Sequence, residues 1–168
     1  MQTKKVGQGM VALGCIVGLG LLTVFFSDVE QRQHNPNQDP QSNKTARAAE
    51  VNLVRNRQGH YILTGNINRK QVEFLLDTGA TDVVIPQAMA RELNLKAGRR
   101  AQAMTANGPV TVFNTSIDEL SIGDITLYNV RASLNPSMRP PSILLGMSAL
   151  KQVEMIQRGD SLTLRQIF

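Results

Sequence analysis

Thiols, imidazoles and indoles are nearly missing from this chain. It has one cysteine, two histidines and no tryptophan, and aromatics make up only 4% of its 168 residues. Cys15 lies inside an apolar run, so the remainder holds no disulfide, cysteine nucleophile or thiol ligand. Neither His34 nor His60 has Cys or carboxylate partners at metal-ligand spacing, so no metal is expected; His34 reads as a solvated residue and His60 as a surface residue at a strand start. No glycine-rich loop follows a strand signal, which removes a phosphate cradle, and no cofactor is expected. From Glu50 onward 13 Lys/Arg stand against 10 Asp/Glu, with no basic cluster beyond Arg99-Arg100. That balance describes a solvated surface and excludes a nucleic-acid footprint.

What is present is concentrated. Residues 10–26, MVALGCIVGLGLLTVFF, carry no charge, and extension back to Val6 adds only Gln8 as an interruption. At about 1.5 Å per residue this run spans roughly 25 to 32 Å, the thickness of a bilayer core. Residues 1–5 are therefore expected to be a cytoplasmic N-terminus and 6–26 a transmembrane anchor. Lys4 and Lys5 precede the run while Asp28 and Glu30 follow it, an asymmetry that keeps the N-terminus inside and exports the rest. A cleaved signal peptide needs small residues directly after its apolar region, and Val24-Phe25-Phe26-Ser27-Asp28 does not supply them. A lipoprotein-type cysteine at Cys15 is disfavoured because the apolar run continues well past it. Gly14 and Gly18 form a small-xxx-small pair of the kind that lets membrane helices approach.

Residues 27–49 are dominated by Gln, Asn, Pro, Ser and Asp, with Val29 the one sizeable apolar side chain. Such a stretch cannot bury enough surface to offset its ordering entropy, so a disordered linker is expected. From residue 50 to 168 the pattern changes to short alternating runs, and one all-β domain is expected. Residues 51–56, 60–67 and 71–77 read as a three-strand meander, and 83–86 as a further strand ended by Pro86. Residues 87–95, QAMARELNL, carry the clearest helical spacing. Hairpins are expected at Asn107-Gly108 and Gly123-Asp124, with Asp118, Glu119 and Asp124 as solvated turn charges. A short helix after Gly146 and a last strand over 161–168 complete the reading.

One acidic residue stands out. Phe74, Leu75 and Leu76 predict a strand buried on both faces, and Asp77 follows at its end, before Thr78-Gly79-Ala80. An unpaired carboxylate there is expensive unless something nearby compensates. A pair of carboxylates sharing one site is the arrangement that compensates chemically: one stays protonated and one ionised, giving an acid and a base at the same pH.

LLDTGAT, residues 75–81, resembles the catalytic loop of retropepsin-like aspartic proteases, and Ile143-Leu144-Leu145-Gly146 followed by Met147-Ser148-Ala149-Leu150 resembles their second signature. Residues 104–109 are similar to the tip of their β-hairpin flap. The resemblance implies an all-β, retropepsin-like acid-protease half-barrel with one short helix, behind a transmembrane helix and linker. It implies Asp77 as the catalytic residue, with Thr78, Gly79, Ala80, Leu145 and Gly146 supporting it. Substrate would lie against Thr81, Asp82, Met104, Thr105, Ala106, Asn107 and Gly108. No second Asp-Thr-Gly or Asp-Ser-Gly occurs, so a two-lobed monomer is excluded and the resemblance implies a homodimer with one Asp77 from each chain. The order of span, linker and Asp-Thr-Gly-Ala domain is similar to single-pass bacterial members of the family, which implies the bacterial inner membrane, with the domain in the periplasm.

Two positions depart from the retroviral pattern. Asp directly after Asp-Thr-Gly-Ala is replaced by Thr81, and Arg after the second Gly by Met147, so the ion pair they would form is missing. These departures motivate an alternative, a non-catalytic peptide-binding module of the same fold. Another alternative is an enzyme limited to processing its own linker near Ala46 to Glu50. Ser148 reads as structural, because Leu150 stands where a nucleophile elbow requires Gly.

Overall fold

The computed structural model describes residues 2–105 and 108–168, with side chains described for Met10 and from Leu13 onward. It divides into two compact units, residues 1–34 and 35–168.

The first unit is a single helix, α1 (Gln2–His34). Among the described residues, Leu13–His34 is long and apolar enough to cross a membrane, with a mean hydropathy of 1.7 over its most apolar 18-residue window. Leu19, Leu21, Phe25 and Phe26 expose more than half of their surface, so within this unit no tertiary contact covers the apolar side chains. The helix runs past residue 26 to His34, where an Asp28–Arg32 ion pair one turn apart supports its polar end.

The second unit contains β1 (Gln41–Lys44), β2 (Ala48–Val54), β3 (Ile62–Ile67), β4 (Lys70–Leu76), β5 (Val83–Pro86), β6 (Arg100–Thr105), β7 (Gly108–Ile122), β8 (Ile125–Asn135), β9 (Ser142–Leu145), helix α2 (Met147–Leu150), β10 (Glu154–Arg158) and β11 (Ser161–Ile167). Seven strands run in the order β3-β4-β9-β5-β8-β7-β6, and β3 also pairs with the far end of β7, closing the sheet on itself. Closure explains Gly65: a Cβ there would stand 2.5 Å from the Ser121 carbonyl oxygen and 2.9 Å from the Phe74 ring. The other four strands form an antiparallel sheet, β1-β2-β11-β10. Ala49, Val51, Leu53, Leu162 and Leu164 point from it into the same core as Leu63, Phe74, Ile85, Ile117, Leu134 and Ile143 of the barrel.

The all-β expectation stands, with α2 as the short helix, but four local expectations are corrected. The meander is only the β3–β4 hairpin, because β2 leaves to pair with β1 and β11. Residues 87–95 form a 3-10 turn, Gln87–Met89, followed by irregular turns. Leu93 and Leu95, two apart, are both buried, which one helical face cannot achieve, and Asn94 between them takes a left-handed φ of 56°. Asp118 and Glu119 lie within β7, where inward-facing residues change parity between Ile117 and Leu120. The partner strand β8 changes at Asn129, with φ 52°. Asp124 does sit in the turn, yet it accepts a hydrogen bond from Ser42 Oγ at 2.7 Å.

The largest correction concerns residues 35–49, expected to be a disordered linker. Asn35 and Asn37 are each 4% exposed. Asn37 Nδ2 donates to the carbonyls of Val54 and Ile62, and its Oδ1 accepts from Val54 N. Asn35 Nδ2 donates to Thr64 Oγ1, and its Oδ1 accepts from Asn37 N. Two polar side chains thus plug the gap between β2 and β3, and composition alone cannot distinguish such a plug from a solvated tail. Replacing Asn37 with Ala would leave three backbone groups, one buried and two part-buried, without their partner, at about 1 kcal/mol each. The expected result is a thermal midpoint about 10 °C lower by circular dichroism, whereas an unchanged midpoint would mean the plug is incidental.

Candidate active site

β4 runs alongside β9 in parallel, with Leu76 opposite Leu145. The pairing continues one residue further, because Asp77 N donates to the Leu145 carbonyl at 3.1 Å. The chain then turns. Ala80 N donates to the Asp77 carbonyl, and Gly79 N donates to Asp77 Oδ1 at 2.9 Å. That second bond fixes the carboxylate's direction at the strand end while leaving the group half-buried and open on one side.

The segment after β9 holds this loop from behind. Met147 N donates to the Ala80 carbonyl at 2.8 Å and Ser148 N to the Thr81 carbonyl at 2.9 Å. Ser148 Oγ donates to the Arg131 carbonyl at 2.6 Å and accepts from Val83 N at 3.0 Å, tying three segments through one buried hydroxyl. Gly146 lies so close to the loop that a Cβ would come within 2.1 Å of the Asp82 carbonyl oxygen and 2.7 Å of that of Ala80. Asp82 Oδ1 accepts from Arg131 Nε at 3.0 Å and Nη2 at 2.8 Å. In this chain an acidic side chain of the loop is thus paired with an arginine from β8, although Thr81 and Met147 cannot pair.

In front of the loop lies a groove of about 720 Å³. Asp77, Gly79, Ala80, Thr81 and Asp82 line one side, and Met104 and Thr105 belong to the hairpin across it. β6 and the first part of β7 form this hairpin. Thr105 lies opposite Gly108, whose φ is 102°, and β7 meets β8 only from Phe113 onward, so residues 108–112 project as an arm with β6. Met104 is 82% exposed. Ala106 and Asn107, expected at the tip, fall outside the described residues.

Leu145 and Gly146, expected to support the loop, are buried behind it, and Thr78 is exposed. Gly108, expected against substrate, is half-buried and does not line the groove. The groove floor also contains residues that sequence reading passed over, namely Val84, Leu144, Asn114, Ser133 and Asn135. Their alternation within β5, β7, β8 and β9 was readable, but which face looks into a groove depends on how the barrel closes. Among the described residues no cluster of His, Cys, Asp or Glu could hold a metal ion.

Residues 63–152 match the family model described as "gag-polyprotein putative aspartyl protease". Over 120 residues the chain is 34% identical to a Sinorhizobium sp. protein described as "Uncharacterized protein in cobV 5'region". That match covers 69% of this chain and 52% of the relative, so the chain spans about half the length of that curated protein. Among solved structures it is similar to a retropepsin-like aspartic protease from Rickettsia conorii. The TM-score is 0.61 at 25% identity, with 77% of this chain and 96% of that one covered.

Proposed function

Because this chain belongs to the retropepsin-like aspartic proteases, we propose that it is a membrane-anchored homodimeric endopeptidase that activates water between two Asp77 carboxylates, one per chain. The observation that carries the reading is a carboxylate aimed by its own Gly79 N–H bond into a roofed groove, on a loop held by the β9–α2 segment. One Asp77 supplies only half of the required chemistry. In the pair, the ionised carboxylate takes a proton from water as the oxygen attacks the peptide carbonyl, and the protonated partner gives its proton to the carbonyl oxygen. Collapse of the resulting gem-diol breaks the C–N bond. The carboxyl that took the water proton gives it to the leaving amine while the ionised partner takes a proton from a gem-diol hydroxyl, so the pair again holds one proton. Thr78, whose hydroxyl has no partner among the described residues, would hydrogen-bond across the two-fold axis. Gly79 leaves room for the scissile bond, since a Cβ there would lie 3.2 Å from Asp77 Oδ1. Residues 104–109 would cover an extended substrate and pair with its backbone.

Residues 6–26 would hold the enzyme in a bacterial inner membrane, N-terminus in the cytoplasm and protease unit in the periplasm. Tethering raises the effective concentration for pairing, and the open faces at Gly14 and Gly18, where an added Cβ would meet nothing, suit a helix contact. Processing near Ala46 to Glu50 is disfavoured, because Ala48–Val54 is already a strand paired on both sides. The test is to incubate the detergent-solubilised full chain with denatured protein and find new termini by mass spectrometry. Cleavage is the expected result. No cleavage by a folded, dimeric sample would leave a peptide-binding module instead.

A further inference from the structure

The groove floor is not uniform. Strand register places Leu75, Leu144, Val84, Ser133 and Asn114 in one row across β4, β9, β5, β8 and β7. At about 4.8 Å between neighbouring strands the row runs roughly 19 Å away from the strand that ends in Asp77. Its near half, Leu144 and Val84, is aliphatic. Its far half, Ser133 and Asn114, is polar, and Asn135 lies two residues along β8 on the same face. The hairpin above contributes the apolar Ala101, Ala103, Val110 and Val112, together with Gln102, Met104 and Thr105 nearer its tip and edge.

The fold uses little of the hydrogen-bonding capacity of these side chains among the described residues. Ser133 is 6% exposed, yet its hydroxyl has no hydrogen-bond partner among the described residues. The Asn114 side chain is likewise unpartnered, although its backbone N–H and carbonyl are both engaged, with Arg99 and Gly98. Asn135 Oδ1 accepts from Ser137 N, which leaves its Nδ2 unused. A groove-facing hydroxyl and two amides beneath a mostly apolar hairpin become costly once a bound chain excludes water, unless that chain supplies the missing partners.

We propose that Ser133, Asn114 and Asn135 form a subsite selecting an amide-bearing side chain, Asn or Gln, in the substrate near the scissile bond. This rests on the reading of the chain as a peptidase. An amide can donate to and accept from these three residues at once, while a leucine or methionine of equal volume would bury them unpaired. A site built around hydrogen bonds discriminates more strongly than one that only measures size. Because side chains of an extended peptide alternate, the selected position is one of the four residues on either side of the cut, on the face turned to the floor.

The test uses the full chain in detergent and pairs of peptides differing only by Gln against Met, or Asn against Leu, at each of those positions. Wild type is expected to show a kcat/KM at least about tenfold higher for the amide peptide at one position. In Ser133→Ala/Asn114→Leu the ratio should fall to within about twofold, by loss on the amide peptide and gain on its apolar twin. Equal or opposite preference in wild type, or a variant that slows both peptides alike, would overturn the proposal. Binding of the same pairs to Asp77→Asn, followed by fluorescence anisotropy, separates this inference from the peptidase reading. Tighter binding of the amide peptide without wild-type cleavage would support the subsite and overturn catalysis, and equal binding would overturn the subsite.

Discussion

Gly146→Ala is expected to lower the thermal midpoint of the protease unit by about 10 °C or more and to remove its activity, although the change adds one methyl group, placed behind the loop and outside the groove. The added Cβ would lie 2.1 Å from the Asp82 carbonyl oxygen and 2.7 Å from the Ala80 carbonyl oxygen, both backbone atoms. No side-chain rotation relieves contacts of that kind, so the loop or the segment after β9 must move. Movement of either breaks the bonds from Met147 N and Ser148 N to the loop carbonyls, at 2.8 and 2.9 Å. Overpacking typically costs 1–3 kcal/mol, and the lost buried bonds add about 1 kcal/mol each. The loop that aims Asp77 is also the loop that must shift, so activity and stability fall together. A variant with an unchanged melting curve and full activity would mean that this packing is not what shapes the site.

Asp77→Asn is expected to behave in the opposite way, with cleavage reduced by at least about 10³-fold and the midpoint within about 2 °C of wild type. Asn retains an Oδ1 that can accept the Gly79 N–H, so the loop keeps its geometry. What it cannot do is ionise, and a site with one titrating carboxyl group has no acid-base pair to share. Retained peptidase activity in a pure sample would place the chemistry elsewhere.

Particular residues show how far the sequence can be read. The strand before Asp77 was legible because Phe74, Leu75 and Leu76 admit little but a buried strand ending at a polar turn. Gly146 was legible as part of a motif, but its reason was not: the contact with the backbone of residues 80–82 depends on β4 and β9 lying side by side across about 70 positions of chain. Asn35 and Asn37 were misread because a buried asparagine has the same composition as a solvated one. Only the carbonyls it meets, at Val54 and Ile62, give it a structural role. The 87–95 stretch shows local spacing overridden by tertiary burial, with Leu93 and Leu95 both drawn into the core. Ser133 and Asn114 were invisible for a third reason: they acquire a shared role only through the register of β7 with β8.

The central claim is that catalysis needs one Asp77 from each of two chains, and mixing tests it directly. Wild-type full chain at fixed concentration would be allowed to exchange subunits with increasing Asp77→Asn chain, and cleavage of one peptide followed. If each active unit needs two intact carboxylates, nine equivalents of variant should reduce activity to about a tenth, because nearly every wild-type chain then pairs with a variant. Activity that stays constant through the titration would show that single chains act alone, and would contradict the dimeric site.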